Sequence, residues 1–311
     1  MTLRFSRVTC HQLRLLDRKW RVPDPRSSAI RRGLAAELRR LREQAGLSGD
    51  DVAQALGWSA SKVSRIETHR TGVKVQDLPL LLDLYAVDAV QRRQLIALAG
   101  EQNQRGWWAA YADALPDDYL TYIGLEDSAV SLQCWSPEIV HGLLQTEAYS
   151  AEMMRAHFSI QATVTPNQAQ RRIESRMRRQ QILTRGQPEK LSFILDEATL
   201  LHRFGTPAVM REQLARLIEL AQLPAVTLQI LAFAGDHPIG PGGFTILSFD
   251  PVHGTALDDV VYVEQLTSSS FVEEDPDTFQ YKQAFGRLAA EALDPHASRE
   301  LIEQIAIERW S

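Results

Sequence analysis

Residues 48–67 read SGDDVAQALGWSASKVSRIE. Ser48 can cap a helix, with Asp51 three positions on as an acidic first-turn residue. Val52, Ala53 and Leu56 share that helix's inner face, and Gly57 closes it, since glycine takes the left-handed conformation without a side-chain clash. Ser59 then caps a further helix whose apolar seam is only Val63 and Ile66. A helix that merely supports a core carries a wider apolar stripe than this. Two short helices, a small residue at their crossing and glycine at the turn make a helix-turn-helix pattern, whose second helix can leave its outer face for a groove. An ordinary three-helix packing unit satisfies the same spacing.

Working outward, Ser28 opens a helical pattern in which Ile30, Leu34, Leu38 and Leu41 fall on one face, and Gly46 ends it. After the quoted stretch, a fourth helix from about Gln76 should bury Leu78, Leu81, Leu82 and Tyr85. A fifth, from about Asp88 to Ala99, should bury Leu95, Ile96 and Ala99. Five short helices in this space make one all-α unit over 28–100. Residues 1–27 are Arg-rich, and Pro23 and Pro25 oppose a regular helix there, so they read as a basic N-terminal arm.

The chain of 311 residues has a formal net charge of -5, but the charge is split unevenly. Residues 1–74 hold 16 Lys/Arg against 7 Asp/Glu, a net of +9, which leaves -14 on the rest. A basic end on an acidic chain points to an anionic partner for that end, or to a solvated basic tail. No apolar run approaches the roughly 18 residues a membrane span needs. The two cysteines, Cys10 and Cys134, lie far apart, which suits a reducing, cytoplasmic setting better than a disulfide framework.

Residues 34–86 resemble the Xre-type, lambda repressor/Cro-like helix-turn-helix domain, on LRRLREQAGLSGDDVAQALGWSASKVSRIE and the five-helix layout. The resemblance implies double-stranded DNA as partner and a homodimer on two half-sites. It implies base reading by Ser59, Ala60, Ser61 and Arg65, with Lys62 at the groove edge. Arg65 is the strongest candidate, because its planar fork matches guanine O6 and N7. Phosphate contacts fall to Gly49, Thr68, His69, Arg70 and Lys74. The family pattern also implies an ion pair between Arg42 and Glu67. The chain departs from the family at Gly49, where many members carry Gln, and at His69, where glycine is usual.

Beyond a linker, GWWAAYADALPDDYLTYIGLE, broken at Pro116, the character changes. Residues 191–196, 226–231, 244–249 and 260–266 read as strands, and 137–157, 166–185, 207–222, 276–292 and 296–309 as helices. The fold class expected is therefore multidomain: an all-α helix-turn-helix domain followed by an α+β domain over 101–311. This half resembles the large C-terminal domain of actinobacterial regulators, on WWAAYADALP, YIGLE, VHGLLQTEAY, RRIESRMRRQQIL, FILDEATL and DDVVYVEQLT, with His141 where proline is usual. That resemblance implies sensing of an unknown small-molecule effector, or binding of a small acidic protein partner encoded nearby. The second possibility keeps open an antitoxin-like or anti-regulator role in which DNA binding only autoregulates.

Arg171, Arg172, Arg176, Arg178 and Arg179 make one helix strongly basic, a candidate partner surface or a solvated face with internal ion pairs. The glycine-rich GDHPIGPGGF (235–244) lacks the ending of a phosphate-binding loop and reads as a surface turn. Asp196 and Glu197 stand at a strand end, where catalytic acids occur, but adjacent carboxylates also start helices. The histidines are dispersed, without metal-site spacing, and no nucleophile elbow appears, so no enzyme activity, cofactor or metal is expected.

Overall fold

The computed structural model describes residues 25–68, 71–101, 106–158, 164–186, 188, 190–238, 242–251, 258–266 and 268–311, with side chains from Gly33 onward except those of 100, 101, 157 and 158. Of the arm expected over 1–27, residues 1–24 lie outside them and 25–27 are helical. The helical unit consists of α1 (Pro25–Gln44), α2 (Gly49–Leu56), α3 (Ala60–Glu67), α4 (Leu78–Leu84) and α5 (Ala89–Glu101). Helix α1 begins at Pro25, ahead of the expected Ser28. Proline is tolerated in the first turn because its missing N–H has no intrahelical partner there.

The capping signals act as local chemistry requires. Ser48 and Asp51 form a reciprocal capping box, with Ser48 N donating to Asp51 Oδ2 at 2.7 Å and Asp51 N to Ser48 Oγ at 3.1 Å. Gly46 and Gly57 both take positive φ, 71° and 65°, which a side chain would strain. Leu34, Leu38, Leu41, Val52, Ala53, Val63, Ile66, Leu78, Leu81, Leu82, Tyr85, Leu95 and Ala99 close one core. Ile96 was expected in it but is 38% exposed. Leu95 and Ala99, four residues apart, take the seam of α5, and Ile96 sits about 100° around from Leu95. Glu37, fully buried, accepts from Arg40 Nε at 2.8 Å and Gln91 Nε2 at 2.8 Å, tying α1 to α5.

A short 3₁₀ turn, Trp107–Tyr111, and α6 (Asp117–Ser128) follow, and α1 packs on α6. The sheet then forms from β1 (Ser131–Ser136), β2 (Lys190–Asp196), β3 (Val226–Leu231), β4 (Phe244–Ser248), β5 (Val260–Glu264) and β6 (Ser269–Val272) in the order β3-β2-β1-β4-β5-β6. Strands β1, β2 and β3 are parallel, and β4, β5 and β6 add on antiparallel. Between β1 and β2 run α7 (Glu147–Phe158) and α8 (Pro166–Arg179); between β2 and β3, α9 (Ala198–Leu201) and α10 (Pro207–Leu220). Helices α11 (Asp275–Glu291) and α12 (Pro295–Trp310) end the chain.

Alternation along the strands divides the sheet's two faces. Leu132, Cys134, Phe193, Leu195, Leu247, Val260 and Tyr262 join the core containing α10 and α12. Trp135, Ile194, Ile246 and Val261 meet Phe285 and Leu288 of α11 on the other side. Both faces are covered, which is why LSFILD reads as an almost unbroken apolar run. The protein is thus a helical unit followed by an α+β domain built on a six-stranded mixed sheet.

Strand β1 was not expected, and 137–157 is not one helix. A 3₁₀ turn, Gly142–Leu144, precedes α7. The buried amide of Gln213 in α10 occupies that backbone, accepting from Thr146 N at 2.7 Å and donating to Leu144 O at 2.8 Å. A distant side chain thereby satisfies groups that a helix would have paired internally.

Candidate nucleic-acid interface

Ser59 caps α3, its Oγ accepting from Lys62 N at 3.2 Å. Val63 and Ile66 are buried, as the thin seam requires. At 100° per residue the opposite face carries Ala60, Ser61, Ser64, Arg65 and Thr68, all exposed. Two charged residues flank this face, and each is joined to a neighbouring element. On one side Glu67 accepts from Arg42 Nε at 2.7 Å and Nη2 at 3.0 Å, while Arg42 Nη1 donates to Leu47 O at 2.7 Å. On the other side Lys62 Nζ lies 2.9 Å from Asp77 Oδ2 and 3.4 Å from the centre of the Trp58 ring.

The candidate base-reading residues therefore divide. Ser59, Ala60, Ser61 and Arg65 are exposed, and among the described residues the Arg65 guanidinium has no side-chain partner. Lys62 differs from them in being half-buried: its stem folds over Trp58 and its ammonium lies against Asp77. Ser64 was missed. Its side chain gives no signal by itself, and only its place between Ser61 and Arg65 on the open face marks it.

Of the candidate phosphate contacts, Thr68 is exposed and its Oγ1 donates to Ser64 O at 2.7 Å, while Lys74 is exposed just before α4. His69 and Arg70 lie outside the described residues. Gly49 is the first residue of α2, with nothing within 4 Å of where a Cβ would stand. Asp50 and Asp51 share that first turn, and their charge opposes the pull of the helix N-terminus on a phosphate.

The basic helix α8 is not a free partner surface. Arg171 donates to Asp113 Oδ1 from Nε at 3.2 Å and also bonds Ala110 O. Arg172 Nε donates to Ala114 O at 2.7 Å, Arg176 Nη1 to Gln145 Oε1 at 2.7 Å, and the Arg178 guanidinium lies 5.0 Å from the Trp107 ring centre. Arg179 is buried, with Nε 2.7 Å from Glu126 Oε2. Four of the five bind the linker and α6, and Arg176 binds the loop before α7. The row of arginines read as a surface because sequence alone does not show that segment 107–128 returns over it.

A buried polar chain continues from that pair. Tyr122 Oη donates to Glu126 Oε1 at 2.8 Å and stands 3.4 Å from His141 Nε2. Leu143 N donates to His141 Nδ1 at 3.3 Å, so the ring hydrogen belongs on Nε2 and His141 is neutral. Burial, with Arg179 and Arg176 nearby, holds His141 well below its ordinary pKa. Cys134, also buried, is pushed upward and stays a thiol.

The Asp196 carboxylate caps α9 by accepting from Ala198 N at 2.8 Å and meets His237 Nε2 at 2.9 Å, while Glu197 Oε2 accepts from Phe233 N at 2.8 Å. Among the described residues no group of three or more His, Cys, Asp or Glu could hold a metal ion, and no helix is long and apolar enough to cross a membrane.

A short helix held on both flanks, with a polar outer face and an arginine that has no side-chain partner among the described residues, has the arrangement of a helix-turn-helix DNA-binding unit. Residues 34–95 match the family model described as a helix-turn-helix domain. Residues 119–304 match the family described as Domain of unknown function (DUF5753), and because that match spans more than half of the chain, the protein belongs to this family. No curated protein and no solved structure matches it.

Proposed function

We propose that this protein is a cytoplasmic, Xre-type transcriptional regulator that lays α3 in the major groove and reads sequence with Arg65, Ser61 and Ser59. Ala60 offers only a methyl contact, and Thr68 and Lys74 position the helix on the phosphates. The protein acts as a homodimer on two half-sites, and the domain over 101–311 supplies dimerisation and senses a small molecule or a protein. The observation that carries this reading is the exposed, unpartnered Arg65 between two ion-paired flanks.

The test is selection of sheared genomic DNA by the full chain, run beside Arg65→Ala. The wild type should enrich a compact motif with two-fold symmetry, and the variant should relax one base position at a cost of about 1–3 kcal/mol. Enrichment of nothing beyond salt-sensitive background would remove base reading by α3.

A further inference from the structure

Lys62 is the one cation within α3, apart from Arg65, that could reach DNA, and it is held elsewhere. Asp77 stands at the N-cap of α4, where an acidic side chain normally bonds the helix's free N–H groups, yet it makes no such bond. Its side chain is 10% exposed, and the carboxylate lies instead 2.9 Å from Lys62 Nζ. The Trp58 ring closes over the same ammonium at 3.4 Å. A tryptophan from the turn before α3 and an aspartate from the start of α4 thus enclose a cation that the helical repeat places beside the DNA-facing surface.

We infer that Asp77 sets the DNA affinity of this protein by withholding Lys62 from the phosphate backbone. This rests on the reading of α3 as the DNA-facing helix. The consequence is one fewer phosphate contact per protomer than the sequence of α3 allows. Attraction to any duplex is thereby lowered while the contacts of Arg65 with bases are untouched, so Asp77 sets the overall affinity and leaves discrimination among sequences to Arg65. The same ion pair joins α3 to α4, opposite the Arg42–Glu67 pair that joins it to α1.

The experiment measures binding of the full chain to a random-sequence duplex of about 30 base pairs across a salt series, a length that covers two adjacent half-sites. Asp77→Asn keeps the shape and capping ability of the residue but releases the lysine, and Asp77→Ser supplies a second, smaller cap. Both should steepen the dependence of log affinity on log salt by about 0.9 per bound protomer and tighten binding roughly tenfold near 50 mM salt. The double variant Lys62→Met/Asp77→Asn should return to the wild-type slope.

If Asp77→Asn keeps the wild-type slope while the double variant falls below it, Lys62 already contacts phosphate and the inference is overturned. A gain that survives in the double variant overturns it too, since removal of the acid alone would then account for the effect. In both cases relaxation of one base position by Arg65→Ala in the genomic selection would leave the base-reading assignment standing. If the wild type shows no salt-dependent binding and the genomic selection yields no motif, both fall together.

Discussion

The Arg42 guanidinium in α1 grips both carboxylate oxygens of Glu67 at the end of α3, at 2.7 Å and 3.0 Å, with both side chains nearly buried. Hydrogen bonding to Glu67 raises the Arg42 pKa above its ordinary value, so Arg42 stays a cation. Two parallel bonds fix orientation as well as distance. Because Arg42 also donates to Leu47 O, the same group anchors the turn before α2. Helix α3 is therefore aimed from its C-terminal end by a residue of α1.

This pair should be worth more than a surface ion pair. A double-mutant cycle on Arg42→Ala and Glu67→Ala, read by thermal or urea unfolding, should give a coupling of about 1–3 kcal/mol. Coupling near zero would mean that the two groups are independently solvated, as exposed pairs often are.

Glu126 and Arg179 make a different prediction. Burial works against the Arg179 cation, but Glu126 beside it, with Tyr119 and Tyr122, raises its pKa and keeps it charged. Glu126→Ala would leave that cation buried without its carboxylate and should cost about 3–5 kcal/mol. Replacing both, as Glu126→Leu/Arg179→Met, should restore most of the loss, because two apolar residues need no pairing. Urea midpoints of the single and double variants decide it; a double variant as unstable as Glu126→Ala would show that the ion pair itself is required.

His141 gives the protein a specific acid sensitivity. Tyr122 from α6, Phe193 from β2, and Arg176 and Arg179 from α8 surround it. Its folded pKa lies below the unfolded value, so unfolding takes up a proton as pH falls below about 6.5, and stability declines from there. The slope contributed is at most one proton, about 1.4 kcal/mol per pH unit. In His141→Gln, the difference in stability between pH 7.5 and 5.5 should shrink by about 1–2 kcal/mol. An unchanged difference would show that His141 does not titrate on unfolding.

Much of the helical unit was legible because its signals are local. Ser48, Asp51, Gly57 and Ser59 act within one turn of where they stand, and a seam as thin as Val63 and Ile66 needs no distant partner to be recognised. Strands β2 to β5 announced themselves by apolar runs that both faces of the sheet bury. Strand β1 did not, because SLQCWS mixes polar residues into a strand lying between β2 and β4. Edge strand β6, four residues long, gives too little pattern to read.

What the sequence by itself determined, then, is where helices start, stop and turn an open face outward, since capping and periodicity are short-range. The tertiary structure alone decided what the long charged side chains do. Lysine and arginine stems reach far enough to choose among several partners, and spacing along the chain does not rank them. Only folding brought Asp77 to Lys62, Glu126 to Arg179 and the linker to the arginines of α8, turning a row of apparent surface charges into the fastenings of the molecule.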